Sequence, residues 1–250
     1  MSNKYIITAI LLSGGALWTM TSHAAISLDR TRVIVDGGDK SLSLNVSNDN
    51  KSLPYLAQAW LEDATGNKVN SPMVILPPIQ RIEAGAKSQV KIQLLPETKS
   101  LPQDRESLYY FNLREIPPRS SKANTLQIAL QTRVKLFYRP DALKLSKTEA
   151  AHGDWVKNIT LQRDGNSWVI HNNSAYYFTA ITVQKTVQSK PENHFSPVMV
   201  APKSSEKINI PAAELGNTPV IAYINDYGGR PRLRFDCSGS VCHSEAVKEK

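Results

Sequence analysis

Along most of the chain, apolar and polar residues alternate with a period of two. Leu42, Leu44 and Val46 interleave with Ser43, Asn45 and Ser47, and Val90, Ile92 and Leu94 interleave with Gln89, Lys91 and Gln93. That period puts successive side chains on opposite faces of an extended strand. Turn-forming clusters punctuate the runs: Asp36-Gly37-Gly38-Asp39, Asn48-Asp49-Asn50, Thr65-Gly66-Asn67 and Glu83-Ala84-Gly85. No amphipathic run is long enough for an ordinary α-helix. Seven short strands fall before residue 140, the number an immunoglobulin-like sandwich uses. A second set follows. Asp164-Gly165 separates apolar runs at 159–161 and 168–170, which signals a hairpin, and further strand-like stretches occupy 176–187, 220–227 and 232–237. Between the sets lie Arg139-Pro140-Asp141 and a polar stretch over 144–154. A proline there removes a ladder donor and suits a junction. The pattern predicts an all-β chain of two sandwiches, 25–140 and 141–250.

One run is too long for its sandwich. Over 124–138, Leu126, Ile128, Leu130, Thr132, Val134, Leu136 and Tyr138 share one parity, with Gln127, Ala129, Gln131, Arg133, Lys135 and Phe137 on the other. At ~3.3 Å per residue it would span about 50 Å, whereas strands usually hold ~5–6 residues. Two readings stand on these residues alone. Either the apolar parity faces the core throughout, or part of the strand projects with its apolar side chains unburied. A projecting edge invites pairing with another chain.

The N-terminus reads as an export signal. Lys4 supplies a short positive region, an apolar run covers 5–18, and Ser22-His23-Ala24 places small residues for cleavage after Ala24. The apolar run is too short to span a bilayer. Expected are a signal peptide over 1–24 and an exported, soluble mature chain in the periplasm. Export also bears on the two cysteines: Cys237 and Cys242, with four residues between them, are expected to form a disulfide in an oxidising compartment. A zinc site would need more ligands than this pair and the nearby His243. The net charge of +8 is spread through the sequence without a basic run, so neither nucleic acid nor membrane insertion is expected.

Catalytic constellations are missing from the sequence. His152, His171, His194 and His243 are widely separated, and no phosphate loop, dinucleotide fingerprint, nucleophile elbow or zinc-protease motif occurs. No enzyme activity, cofactor or metal is expected. A triad assembled only in three dimensions stays open, as does a structural fibre component. The second is disfavoured because both sandwiches look complete.

The run Leu101-Pro102-Gln103-Asp104-Arg105-Glu106-Ser107-Leu108-Tyr109-Tyr110-Phe111-Asn112-Leu113-Arg114-Glu115-Ile116-Pro117 resembles the signature of periplasmic pilus-assembly chaperones. So do Ser27-Leu28-Asp29-Arg30-Thr31-Arg32, Lys135-Leu136-Phe137-Tyr138-Arg139-Pro140 and Ile224-Asn225-Asp226-Tyr227-Gly228-Gly229-Arg230-Pro231. The resemblance implies two immunoglobulin-like domains in a boomerang, with a cleft between them for a pilus subunit. It implies that the long edge strand completes the subunit's unfinished sandwich, with Leu126, Ile128 and Leu130 inserting. It assigns Arg32 and Lys135 as anchors of the subunit's C-terminal carboxylate. Glu106, Arg139 and Asp226 become a charged trio holding the two domains. Expected partners are pilus subunits and an outer-membrane usher, and a self-capping homodimer of the free protein is left open.

Overall fold

The computed structural model describes residues 24–122 and 124–247. Apart from Ala24, the expected signal segment lies outside them. The first half contains ten strands: β1 (Ile26–Leu28), β2 (Arg32–Asp36), β3 (Ser41–Asn48), β4 (Tyr55–Asp63), β5 (Lys68–Val69), β6 (Met73–Leu76), β7 (Ile79–Ile82), β8 (Lys87–Leu94), β9 (Ser107–Ile116) and β10 (Gln131–Arg139). The second half contains β11 (Ile159–Asp164), β12 (Ser167–Asn172), β13 (Phe178–Gln184), β14 (Val198–Val200), β15 (Ser204–Ile208), β16 (Val220–Tyr223), β17 (Arg232–Ser238) and β18 (Val241–Ala246). Helix is confined to short pieces, of which α1 (Lys147–His152) and α2 (Ala212–Leu215) are α-helical. The fold is nearly all-β.

In the first half one sheet runs β1-β3-β8-β6 and the other β2-β10-β9-β4-β5, with β7 also on β4. Alternation decides which face is dry. Leu44 and Val46 of β3, and Val90 and Ile92 of β8, meet Phe111, Leu113 and Leu136 of the opposite sheet in a closed core. Ten strands are found where seven were expected, because the chain changes sheets more often than the apolar pattern reveals. β1 pairs antiparallel with β3, whereas β2, only a few residues on, pairs parallel with β10. Pro77 and Pro78 separate β6 from β7, since neither has an N–H to give a ladder.

In the second half the strand order is β14-β13-β16-β17-β18-β11-β12-β15. Its core holds Trp168, Phe178, Tyr223, Leu233 and Phe235. The Asp164-Gly165 hairpin forms as expected, with Asp164 opposite Ser167 and Gly165 at φ 57°. The stretch over 144–154, read as polar linker, carries α1 instead. Its Ser146 side chain accepts from Glu149 N–H while the Glu149 side chain accepts from Ser146 N–H, a reciprocal capping box.

The halves touch through several elements. Phe137 and Tyr177 lie with ring centroids 5.2 Å apart, the Tyr176 hydroxyl donates to Leu143 O at 3.0 Å, and Glu106 N–H donates to Ala175 O at 2.9 Å. At Gly228, which has φ 79°, an added Cβ would come within 2.6 Å of Thr31 Oγ1. Only glycine allows that approach.

Candidate functional site: an unpaired edge beside a basic cleft

β10 is flanked unequally. β9 accompanies it from Gln131 to Tyr138, but β2 joins its other side only where Arg32 meets Lys135. The edge from Gln131 to Val134 is therefore open. Before Gln131 the chain continues without a strand partner on either side among the described residues. Leu130 O still accepts from Glu115 N–H at 3.0 Å, but beyond Ile116 the facing residues are Pro117 and Pro118, which have no N–H to donate. The continuous strand expected over 124–138 thus forms a ladder only from Gln131. The residues before it project.

Their side chains divide by parity. Gln127 turns toward its own loop, donating from Nε2 to Pro118 O at 2.6 Å and accepting from Ser120 N–H at 3.3 Å. Leu126, Ile128 and Leu130 face outward and are 84%, 65% and 42% exposed. Three exposed apolar side chains in register next to an unpaired edge form a template for another strand.

At the foot of this edge Arg32 and Lys135 sit opposite each other on β2 and β10. Arg32 is 8% exposed, reaches Ile224 O from Nη1 at 3.2 Å, and keeps a buried Nε without a partner. Among the described residues Lys135 has no hydrogen-bond or ion-pair partner. Burial pulls both cations' pKa values down. The neighbouring Arg32 lowers Lys135 further, whereas Asp226 and Glu106 partly hold Arg32 up. Two adjacent, incompletely solvated cations are costly for the fold alone and suit an incoming anion. Arg32 also lines a cleft of ≈ 580 Å³ between the halves with Arg30, Lys144, Lys147, Asp226 and Tyr227, while Lys135 stands outside its walls.

Glu106, Arg139 and Asp226 come together as one network. Buried Arg139 donates to Glu106 Oε1 from Nε at 2.9 Å and Nη2 at 2.8 Å, and to Asp226 from Nη1 at 2.7 Å and Nη2 at 3.1 Å. Glu106 Oε2 accepts from Tyr177 N–H at 2.7 Å. Burial pushes the Glu106 carboxyl up to about 7 against the pull of Arg139, whereas the two carboxylates push Arg139 up despite its burial. Hydrogen bonds arriving at both carboxylate oxygens favour the charged form of Glu106 and oppose the effect of its burial.

Cys237 and Cys242 are disulfide-bonded, at facing positions of β17 and β18. Among the described residues no group of three or more His, Cys, Asp or Glu could hold a metal ion, and no helix is long and apolar enough to cross a membrane. Sequence reasoning missed Ile224 O, Tyr177 N–H and Glu115, whose roles depend on backbone partners that no residue pattern encodes.

Two family models divide this geometry between them. "Pili and flagellar-assembly chaperone, PapD N-terminal domain" matches residues 25–144, and "Pili assembly chaperone PapD, C-terminal domain" matches 154–235. The chaperone protein PapD of Escherichia coli is 48% identical over 243 residues, covering 96% of this chain and 98% of that protein. The chain belongs to the pilus-assembly chaperone family. Solved structures agree with the chaperone's architecture. The periplasmic chaperone SfaE superposes with a TM-score of 0.66 at 30% identity, over 84% of this chain and 98% of that one. The Salmonella enterica SafB chaperone, solved with the SafA pilin, gives a TM-score of 0.68 at 26% identity, over 91% and 98%. The family is one of chaperones, not of enzymes.

Proposed function

We propose that this chaperone works in the periplasm, without catalysis, by lending residues 124–135 as a strand to unfinished pilus subunits and passing them to an outer-membrane usher. One observation carries the reading: Leu126, Ile128 and Leu130 are displayed just before Gln131–Val134, whose outer edge has no partner among the described residues. A subunit strand laid against that edge would take up its free backbone groups, and a groove would take the three side chains. Together they expose about two whole side chains. Burying one is worth roughly 1.5–3 kcal/mol before ordering costs are subtracted. Alternation alone permits slips of two residues. Arg32 and Lys135 would prevent them by holding the subunit's C-terminal carboxylate, each through a charge-assisted hydrogen bond.

We divide the chain into domains at 25–140 and 141–250, and assign the trio Glu106, Arg139 and Asp226 to fixing the angle between them. The relatives' binding of pilins supports the partner class. Co-purification from periplasm tests the proposal. Recovery of pilus subunits with the wild type, and their loss from a variant lacking the apolar side chains at 126, 128 and 130, is expected. Equal recovery from both would refute it.

A further inference from the structure

We propose that Glu115 is the binding site for the α-ammonium group that signal removal creates at Ala25. The inference rests on cleavage after Ala24. Glu115, near the end of β9, is only 6% exposed. Its Oε2 accepts from Ala25 N at 2.6 Å and Ile26 N at 3.0 Å. Among the described residues no side-chain cation pairs with it. A carboxylate buried with only two backbone amides is incompletely compensated. Hydrolysis of the Ala24–Ala25 bond by water and an export peptidase changes one of those amides. Ala24 leaves with a carboxylate, and Ala25 keeps an amine that takes up a proton at neutral pH. The 2.6 Å contact then becomes an ion pair without any movement of the chain.

The position of Ala25 is already fixed from its other side, where Ala25 O accepts from Asp49 N–H at 2.7 Å. Ala24, Ala25, Glu115, Ile128 and Leu130 share the wall of one cleft of ≈ 350 Å³. Glu115 also donates its N–H to Leu130 O at 3.0 Å, at the root of the projecting segment. One residue thus ties the processed terminus to the base of the strand on offer. Maturation completes an ion pair there that the precursor does not have.

Three exported proteins test this: the wild type, Glu115→Gln, and a form with one glycine inserted between Ala24 and Ala25, which moves the ammonium but keeps Glu115. Intact mass establishes each start. For the wild type, the Ala25 amine followed by NMR is expected to titrate well above its ordinary ~8, and in Glu115→Gln within the ordinary range. A raised amine stabilises the fold below about pH 8 and loses that contribution as pH rises through the raised value. Both variants are therefore expected to melt about 4 °C below wild type at pH 7, with the gap closing above the raised value. Amide exchange at position 115 is expected to quicken in both. A wild-type mass starting elsewhere than Ala25 overturns the proposal through its premise. A start at Ala25 with an unshifted amine, or a melting gap indifferent to pH, overturns the assignment of Glu115 itself.

Discussion

Replacing Arg139 with alanine would remove the cation to which both Glu106 and Asp226 are hydrogen-bonded. Glu106 would stay buried, keeping the Tyr177 N–H as a donor. Asp226, whose side chain is 20% exposed, can recover some hydration. Stranding one member of a buried pair costs about 3–5 kcal/mol, which for a chain of this size corresponds to a fall in melting temperature on the order of 10 °C. The loss should depend on pH. Burial already pushes Glu106 up to about 7 while Arg139 opposes it; without Arg139 the carboxyl rises further and can neutralise itself by binding a proton. A carboxyl raised in the folded state contributes stability that is fully present below its unfolded value of 4.5 and is lost as pH rises through the folded value. Urea unfolding of Arg139→Ala should therefore give a smaller deficit against wild type at pH 5 than at pH 8, the gap opening above about 7, where the wild-type carboxyl ionises and the variant's still holds its proton. The double variant Glu106→Gln/Arg139→Met, with no charge left to strand at Glu106, should be far less sensitive to pH. A deficit below about 1 kcal/mol at pH 8, or one equal at both pH values, would refute the reasoning.

Arg32→Ala and Lys135→Ala should each weaken subunit capture by about tenfold to a hundredfold, the worth of one charge-assisted hydrogen bond, while melting stays level or rises because an under-solvated cation has gone. Capture at wild-type affinity would remove the carboxylate assignment. Ile128→Asp should abolish capture with the melting temperature unchanged, since Ile128 is 65% exposed in the free chain; a variant that unfolds would place Ile128 in the core instead. Replacing Cys237 and Cys242 together by alanine should lower stability by about 2 kcal/mol, the loop-closure value for so short a ring. Binding assayed at a temperature where both forms are folded should be unchanged, and a loss of capture there would tie the disulfide to the site.

The period of two located most strands, because one face of each sheet is dry and the pleat alternates. It overstated the 124–138 strand, since alternation reports side chains and says nothing of ladder partners. Pro117 and Pro118 were the readable sign that the facing strand stops. Phe137 shows the reverse error. Its parity is opposite to that of Leu136, yet both are buried, because Tyr177 of the second half covers the outer face of β10 there. Ser146 and Glu149 carried the spacing of a capping box, a readable sign of α1 that the reading of 144–154 as polar linker passed over. The Glu106–Arg139–Asp226 network was not legible from residue chemistry: its members are 33 and 87 positions apart. Only the resemblance brought them together. Glu115 had no signal at all, since its partners are main-chain N–H groups at the far end of the domain's sequence.

The central claim is that residues 124–135 become a strand of another protein. Amide hydrogen exchange, residue by residue, on the chaperone alone and saturated with a pilus subunit tests it most directly. Fast exchange is expected over 125–130 in the free chain, which forms no ladder among the described residues, and strong new protection on alternate amides from 125 to 134 in the complex. Protection that appears in the basic cleft or the second half, while 125–134 exchanges as fast as before, would contradict it.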